Sequence, residues 1–293
     1  MSQASTNMSP IGSKTVRQVT DEIAHVLSAA DVPSPVADAR ELIAFVLKIP
    51  KNRLALVTWI TVDLEAKIRM LADRRAQRIP LQYLTGSAPF RYVELAVGPG
   101  VFVPRPETEL LVGWGLDAIA GQSRPLVVDL CAGSGAIAVA VATEHPGAVV
   151  VAVERSADAL PWLRRNAAAT SVRIVEGDAV SPATVPDLDG HVDAVLSNPP
   201  YVPLGTPVSP EVADHDPPAA VFADHDGLGV IRGLVTRAAA LLKPGGVVAI
   251  EHDDTHGSAV PDLLRASGAF TEVADHDDLT GRPRFATARR LAD

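Results

Sequence analysis

Asn198, Pro199, Pro200 and Tyr201 follow directly on the apolar run Val192, Asp193, Ala194, Val195, Leu196, Ser197. Two prolines cannot donate to a sheet ladder, and each holds the residue before it in extended geometry. A strand that ends this way is stiff, and its unpaired carbonyls and the Asn198 carboxamide face whatever lies beyond the strand end. In an open parallel sheet that is where ligands bind. Taken alone, the four residues read equally well as a rigid exit from a strand or as a clamp for a flat polar group.

A second stretch bears on that choice. Val128-Asp129-Leu130 reads as a strand end, and Cys131-Ala132-Gly133-Ser134-Gly135 as a turn into a helix. Glycines there let a ligand approach the backbone, and the helix start offers free N–H groups. Glu154, about 20 residues on, ends the next strand, where a carboxylate can accept both hydroxyls of a ribose. Nicotinamide-dinucleotide domains share this much. Asp129, a negative charge suited to an amino-acid ammonium, and Gly177-Asp178-Ala179, placed to accept from an adenine amino group, favour S-adenosylmethionine.

The chemistry follows from the pairing. An amide or exocyclic nitrogen is a weak nucleophile because its lone pair is delocalised. If the Asn198 oxygen and the Pro199 carbonyl each accept one hydrogen of a substrate NH2, the lone pair is turned toward an electrophilic methyl carbon, and such orientation supplies up to ~7–11 kcal/mol in well-aligned cases. Pro200 keeps the pair rigid, and Tyr201 is placed either to stack on the substrate amide or to pack. No metal is required.

These residues need an α/β scaffold. Strands are expected at 126–130, 149–153, 172–175, 192–197 and 247–250, with weaker ones near 270–275 and 284–288, and helices at about 135–144, 156–168, 228–242 and 257–266. Continuous apolar runs fit parallel strands covered on both faces, so the fold class is α/β and doubly wound. Upstream, apolar residues at helical spacing predict helices at 16–30, from 35 to a stop at Pro50, and at 62–78, the second opened by Ser34 as cap and Pro35 at its first position. The third presents Lys67, Arg69, Arg74, Arg75 and Arg78, a cationic face that is either solvation or a protein-docking surface. Alternating residues at 90–103 about Gly98-Pro99-Gly100 suggest a hairpin, and Pro104-Arg105-Pro106-Glu107-Thr108-Glu109 suggests a helix start with proline and acids in its first turn. The expected organisation is a disordered tail (1–13), a helical substrate-docking domain (14–85), a β-hairpin linker (86–104) and the α/β domain (105–293).

The net charge of −9 is uneven: 11 Lys/Arg stand against 8 Asp/Glu in residues 14–85, and 15 against 27 in residues 86–293. An acidic catalytic half disfavours long contact with a phosphate backbone. No apolar run is long enough to span a membrane and no leader pattern opens the chain, so a cytoplasmic location is expected. One cysteine, Cys131, excludes an internal disulfide framework. His/Asp clusters at 214–216, 224–226, 252–256 and 275–278 share no ligand spacing and are read as solvated loops, with no metal site.

Asn198-Pro199-Pro200-Tyr201-Val202-Pro203, together with the segments 101–109 (Val-Phe-Val-Pro-Arg-Pro-Glu-Thr-Glu), 83–86, 226–228 and 242–246, resembles the HemK/PrmC family of release-factor glutamine methyltransferases over roughly residues 14–290. The resemblance implies a helical N-terminal domain, a hairpin linker and a seven-stranded methyltransferase domain of Rossmann-like form. It also implies that the glutamine of the Gly-Gly-Gln loop of bacterial class-I release factors is methylated at its side-chain nitrogen. The family's cofactor loop falls on Cys131, Ala132, Gly133, Ser134 and Gly135, its ribose acid on Glu154, its adenine contacts on Asp178 and Ala179, and its amide clamp on Asn198 to Tyr201. The chain departs from the pattern at Cys131-Ala132, where the family usually has Gly-Thr, at Ala223-Asp224-His225 and at His252-Asp253-Asp254. Three rivals remain: a ribosomal-protein glutamine methyltransferase, an adenine N6 DNA methyltransferase, and an inactive cofactor-binding module that docks release factors.

Overall fold

The structure is a computed structural model that describes residues 12–292. The tail expected at 1–13 therefore lies, but for its last two residues, outside the described residues. The chain divides into two compact units at Gly86/Ser87.

The first unit holds β1 (Lys14–Thr15), α1 (Val16–Ala29), α2 (Pro35–Leu47), β2 (Trp59–Ile60), α3 (Val62–Ala76) and α4 (Leu81–Thr85). Helix α1 is closed by a reciprocal cap: Thr15 Oγ1 accepts the Gln18 N–H, and Gln18 Oε1 accepts the Thr15 N–H at 2.9 Å. Pro35 opens α2 as expected, but the Ser34 side chain makes no cap bond. Val19, Leu27, Leu42, Ile43 and Ile68 interlock as the core. The expected cationic face is largely consumed internally. Arg75 is buried on Asp38 at 2.8 Å, and Arg69 pairs with Glu65 and Glu22, which also hold Lys14. Lys67 and Arg74 remain exposed.

The second unit begins with a hairpin, β3 (Ser87–Phe90) and β4 (Val93–Ala96). Its tip is Arg91-Tyr92, with Arg91 at φ +50°, and the Gly98-Pro99-Gly100 turn lies beyond it in a loop. The expected turn position was wrong because Arg91 accepts a left-handed backbone while its guanidinium is held by Glu144 at 2.5 and 2.6 Å. Then come α5 (Thr108–Ile119), β5 (Leu126–Leu130), α6 (Ala136–Glu144), β6 (Val149–Glu154), α7 (Leu160–Ala167), β7 (Arg173–Glu176), β8 (Val192–Ser197), α8 (Pro210–His215), α9 (Pro218–Val221), α10 (Gly229–Leu241), β9 (Leu242–Glu251), α11 (Ala259–Ala266), β10 (Phe270–Asp277) and β11 (Pro283–Arg290). Helix α5 starts at Thr108, so Pro104 and Pro106 stay in the preceding loop.

One seven-stranded sheet runs in the order β10-β11-β9-β8-β5-β6-β7, with β11 antiparallel to both neighbours and the other pairs parallel. Alternation along each strand sorts side chains to two cores. Val127, Val150, Ala194, Leu196 and Ala249 face α5, α6 and α7, while Val128, Val151, Val195, Val248 and Ile250 face α10 and α11. The chain leaves β5 toward β6 and β7 and later returns to β8 on the other side. That reversal places a crevice beyond the carboxyl ends of β5 and β8.

Candidate active site

The sheet order sets the site in a row. Leu130 pairs with Ser197 on one side and Val153 on the other, and Glu154 pairs with Glu176. The loop after β5, Asn198 after β8, Glu154 at the end of β6 and Gly177-Asp178 after β7 therefore share one edge. Ser197 Oγ donates to the Leu130 carbonyl at 2.6 Å, tying the two central strand ends together.

A cleft open at its mouth occupies this edge, enclosing about 1110 Å³ of space when the solvent at the mouth is included. Cys131, Ala132, Gly133, Ser134, Glu154, Asp178, Ala179, Asn198 and Pro200 line it. Phe102, Pro104 and Thr108 form part of another wall, with Pro217 and Ala220. Gly135 lies behind the loop, where its φ of +87° starts α6 and an added Cβ would stand 2.6 Å from Leu163 Cδ1. We expect Gly135→Ala to destabilise the domain by about 2 kcal/mol and to weaken cofactor binding together with it; a thermal midpoint equal to that of the unaltered protein would contradict this reading of the loop.

The lining fits the expected cofactor. At Gly133 a Cβ would meet no protein atom within 4 Å and would enter the cavity instead. Glu154 Oε2 accepts the Gly133 N–H at 2.7 Å and Oε1 the Ser156 N–H at 2.6 Å. Each oxygen keeps a lone pair for a ribose hydroxyl. Cys131 takes the turn at φ +66°, so the left-handed backbone survives the loss of glycine. Burial, aided by Glu154 and Asp129, pushes its thiol up to about 12, which makes it an unreactive packing group.

Besides Gly135, three expected site residues do not line the cavity. Asp129 is fully buried, and its Oδ2 accepts the Ala138 N–H at 3.0 Å, so it holds the first turn of α6. Burial pushes its carboxyl up to about 8, against that hydrogen bond, and Glu154 adds to the rise. The Pro199 ring is buried and leaves only its backbone to act. Tyr201 packs against the α10 side of the sheet rather than over the cavity. Its hydroxyl donates to Glu251 Oε1 at 3.0 Å, and burial, then the Glu251 charge, raises its pKa.

Residues that the sequence reading did not select complete the site. Asn198 Nδ2 donates to Thr108 Oγ1 at 3.0 Å, and Thr108 donates in turn to Glu251 Oε2 at 2.6 Å. Glu251 ends β9 and is 1% exposed; burial pushes its carboxyl up to about 7, against the Thr108 and Tyr201 hydrogen bonds and the Arg284 charge. Arg105 stacks 4.8 Å over Phe102 and pairs with buried Asp216 at 2.9 Å, joining the loop before α5 to the end of α8. Thr108 was visible as part of Pro-Arg-Pro-Glu-Thr, but only as a motif letter.

The cluster at 224–226 is exposed in a loop, as expected, but the other three His/Asp clusters each carry a buried member and are not simply solvated. His252 is buried with Nε2 2.8 Å from Asp275, His256 and Asp216 are buried, and Asp278 accepts from Thr280 at 2.6 Å. Asp216, Asp226, Asp254 and Asp278 pair with arginines, His252 with Asp275, and His276 Nε2 lies 2.8 Å from Thr287 Oγ1. Among the described residues no group of three or more His, Cys, Asp or Glu is gathered as metal ligands would be.

Residues 18–86 match the family described as the PrmC N-terminal domain, and residues 107–213 match the methyltransferase small domain. The release factor glutamine methyltransferase of Streptomyces coelicolor is 51% identical over 268 residues, which cover 90% of this chain and 94% of that protein. The 4-amino-L-phenylalanine/4-methylamino-L-phenylalanine methyltransferase of Streptomyces pristinaespiralis is 40% identical, over 89% of this chain and 90% of its own. Among solved structures, the Thermus thermophilus 16S rRNA N2 G1207 methyltransferase in complex with AdoMet and guanosine aligns with a TM-score of 0.50 at 24% identity, covering 70% of this chain and 49% of that one; the likeness is one of fold. A seven-stranded sheet with one antiparallel strand, carrying a glycine loop and an acid at adjacent strand ends, defines a methyltransferase of the Rossmann-like class. Both the amino-terminal and the catalytic segments narrow the class further. The chain belongs to the release factor glutamine methyltransferase family.

Proposed function

We propose that the chain methylates the side-chain amide nitrogen, N5, of the glutamine in the Gly-Gly-Gln motif of bacterial class-I release factors, with S-adenosylmethionine as donor. One observation carries this reading: the Asn198 carboxamide stands at the cavity with its NH2 engaged by Thr108, which leaves Oδ1 to accept from a substrate NH2. The names of the relatives supply the substrate.

When bound, S-adenosylmethionine supplies a methyl carbon made electrophilic by its sulfonium. Glu154 would hold the ribose hydroxyls, Asp178 and Ala179 the adenine end, and Cys131 to Ser134 the methionine end, with Gly135 shaping the loop behind them. Asn198 Oδ1 and the Pro199 carbonyl take the two amide hydrogens of glutamine and turn its lone pair inward. Both contacts strengthen as positive charge develops on that nitrogen. Pro200 fixes their spacing, and Tyr201 acts from behind, through Glu251. The methylated nitrogen is acidic and sheds its proton to water, so no general base is required.

Residues 14–85 dock the release factor, and residues 86–104 form the linker. The protein works in the cytoplasm and uses neither nucleic acid nor membrane as partner; no helix among the described residues is long and apolar enough to cross a membrane. Incubation with methyl-labelled S-adenosylmethionine and, separately, a release factor, a ribosomal-protein mixture, DNA or 4-amino-L-phenylalanine tests the assignment. Label on the release-factor glutamine is expected. Label confined to any other acceptor, or on none, overturns it.

A further inference from the structure

Thr108 opens α5 and Glu251 closes β9, 143 residues apart, yet a 2.6 Å hydrogen bond joins them behind Asn198. We infer that Thr108 and Glu251 are positioning residues that decide which end of the Asn198 carboxamide faces the substrate, and so whether the clamp accepts an amide NH2 or repels it. This inference rests on the reading of Asn198 as an amide clamp.

A carboxamide has an acceptor end and a donor end of almost equal shape, so packing alone cannot choose between them. With the donor end forward, the Asn198 NH2 would confront the substrate NH2, a donor against a donor. The hydrogen-bond chain makes the choice. An ionised carboxylate only accepts, so Glu251 Oε2 fixes the single hydroxyl hydrogen of Thr108. Thr108 Oγ1 then has only lone pairs to offer Asn198, and the atom beside it must be Nδ2, as observed at 3.0 Å. Oδ1 is left for the substrate. The second Glu251 oxygen is occupied by the Tyr201 hydroxyl at 3.0 Å, which keeps the carboxylate from turning away from Thr108.

A protonated Glu251 reverses the chain. Its carboxyl hydrogen can donate to Thr108, the freed Thr108 hydroxyl hydrogen turns to Asn198, and Oδ1 is drawn backward with NH2 forward. The charged and titratable groups facing Glu251 come from three places: Tyr201 beyond β8, Arg284 on β11 and Glu107 before α5. Arg284, itself beside Asp278, favours the carboxylate and Glu107 opposes it, while burial places the titration at about 7. Transfer should therefore fall as pH drops through about 7, with cofactor affinity unchanged.

Thr108→Val keeps the shape and removes both the hydroxyl donor and its lone pairs. A misdirected reacting group costs on the order of 10²-fold. We expect that loss in kcat, with the calorimetric Kd for S-adenosylmethionine within twofold of the unaltered protein, and recovery to within about threefold in Thr108→Ser. Glu251→Gln offers one acceptor and one donor where two acceptors stood; it should lose a comparable factor and also lose the acid limb of the pH profile. A second readout needs no turnover. In protein labelled with ¹⁵N-asparagine, the Asn198 side-chain amide signals should titrate near pH 7 and cease to do so in Thr108→Val. If the unaltered protein methylates release factor and Thr108→Val does so within threefold of it, the inference falls while the proposed function stands. If the unaltered protein methylates no release factor, the function falls, and the Asn198 titration still decides the network: a flat response in the unaltered protein overturns it.

Discussion

Asn198→Ala should abolish methyl transfer, lowering the single-turnover rate by at least ~10³-fold while the Kd for S-adenosylmethionine changes by no more than a few-fold. Deleting the carboxamide removes an acceptor aimed at the nitrogen where positive charge develops, and loss of one such preorganised group costs ~10²–10³ in rate. It also frees the glutamine NH2 to rotate, so part of the orientation advantage is lost as well. Cofactor affinity is spared because Glu154, Asp178 and Ala179 follow β6 and β7, on the far side of β5 from Asn198. A rapid-quench assay with labelled donor, paired with calorimetry, separates the two quantities. Transfer near the original rate would refute the amide clamp outright.

Glu154→Ala should raise the Kd for the cofactor by about 100-fold and leave the residual turnover at saturation much less affected. Glu154 is 8% exposed and holds two backbone N–H groups, those of Gly133 and Ser156. Hydrogen bonds to a charged group contribute ~1.5–3 kcal/mol each, and a tenfold change in affinity corresponds to 1.4 kcal/mol. Without the carboxylate, the loop after β5 loses its tether to β6 at the place where the ribose hydroxyls would also lose their acceptor. Glu154→Gln keeps one acceptor oxygen and should fall between the two. A Kd within threefold of the unaltered protein in the alanine variant would remove Glu154 from the cofactor site.

Much of this arrangement is legible in the residue string, for a physical reason. Parallel strands buried on both faces read as unbroken apolar runs, and Val149–Glu154 and Val192–Ser197 fall within a residue of expectation. Gly135 and the paired prolines after Asn198 are local backbone devices, so they are visible where they stand. The network behind the clamp is not local. Nothing near Glu251 marks it as the acceptor for Thr108 and Tyr201, because that role exists only once β9 pairs with β8 and α5 packs beside them. The same holds for Arg75, which on a helix face reads as a solvated cation until Asp38 of α2 is set against it. Arg91-Tyr92 carries no turn signature, whereas Gly98-Pro99-Gly100 carries a strong one and makes no hairpin.

The spread of the clamp along the chain bears on how the enzyme matures during synthesis. The loop after β5, Glu154 and the residues after β7 all precede position 181, so nearly the whole cofactor side emerges before Asn198 is translated. If Glu251 orients Asn198 as inferred above, that orientation awaits β9, and the charge that favours ionised Glu251 awaits Arg284 on β11. On that reading, the residues expected to hold the donor are made well before those that would orient the acceptor clamp, and a chain ending short of β11 is expected to bind cofactor more readily than it turns it over.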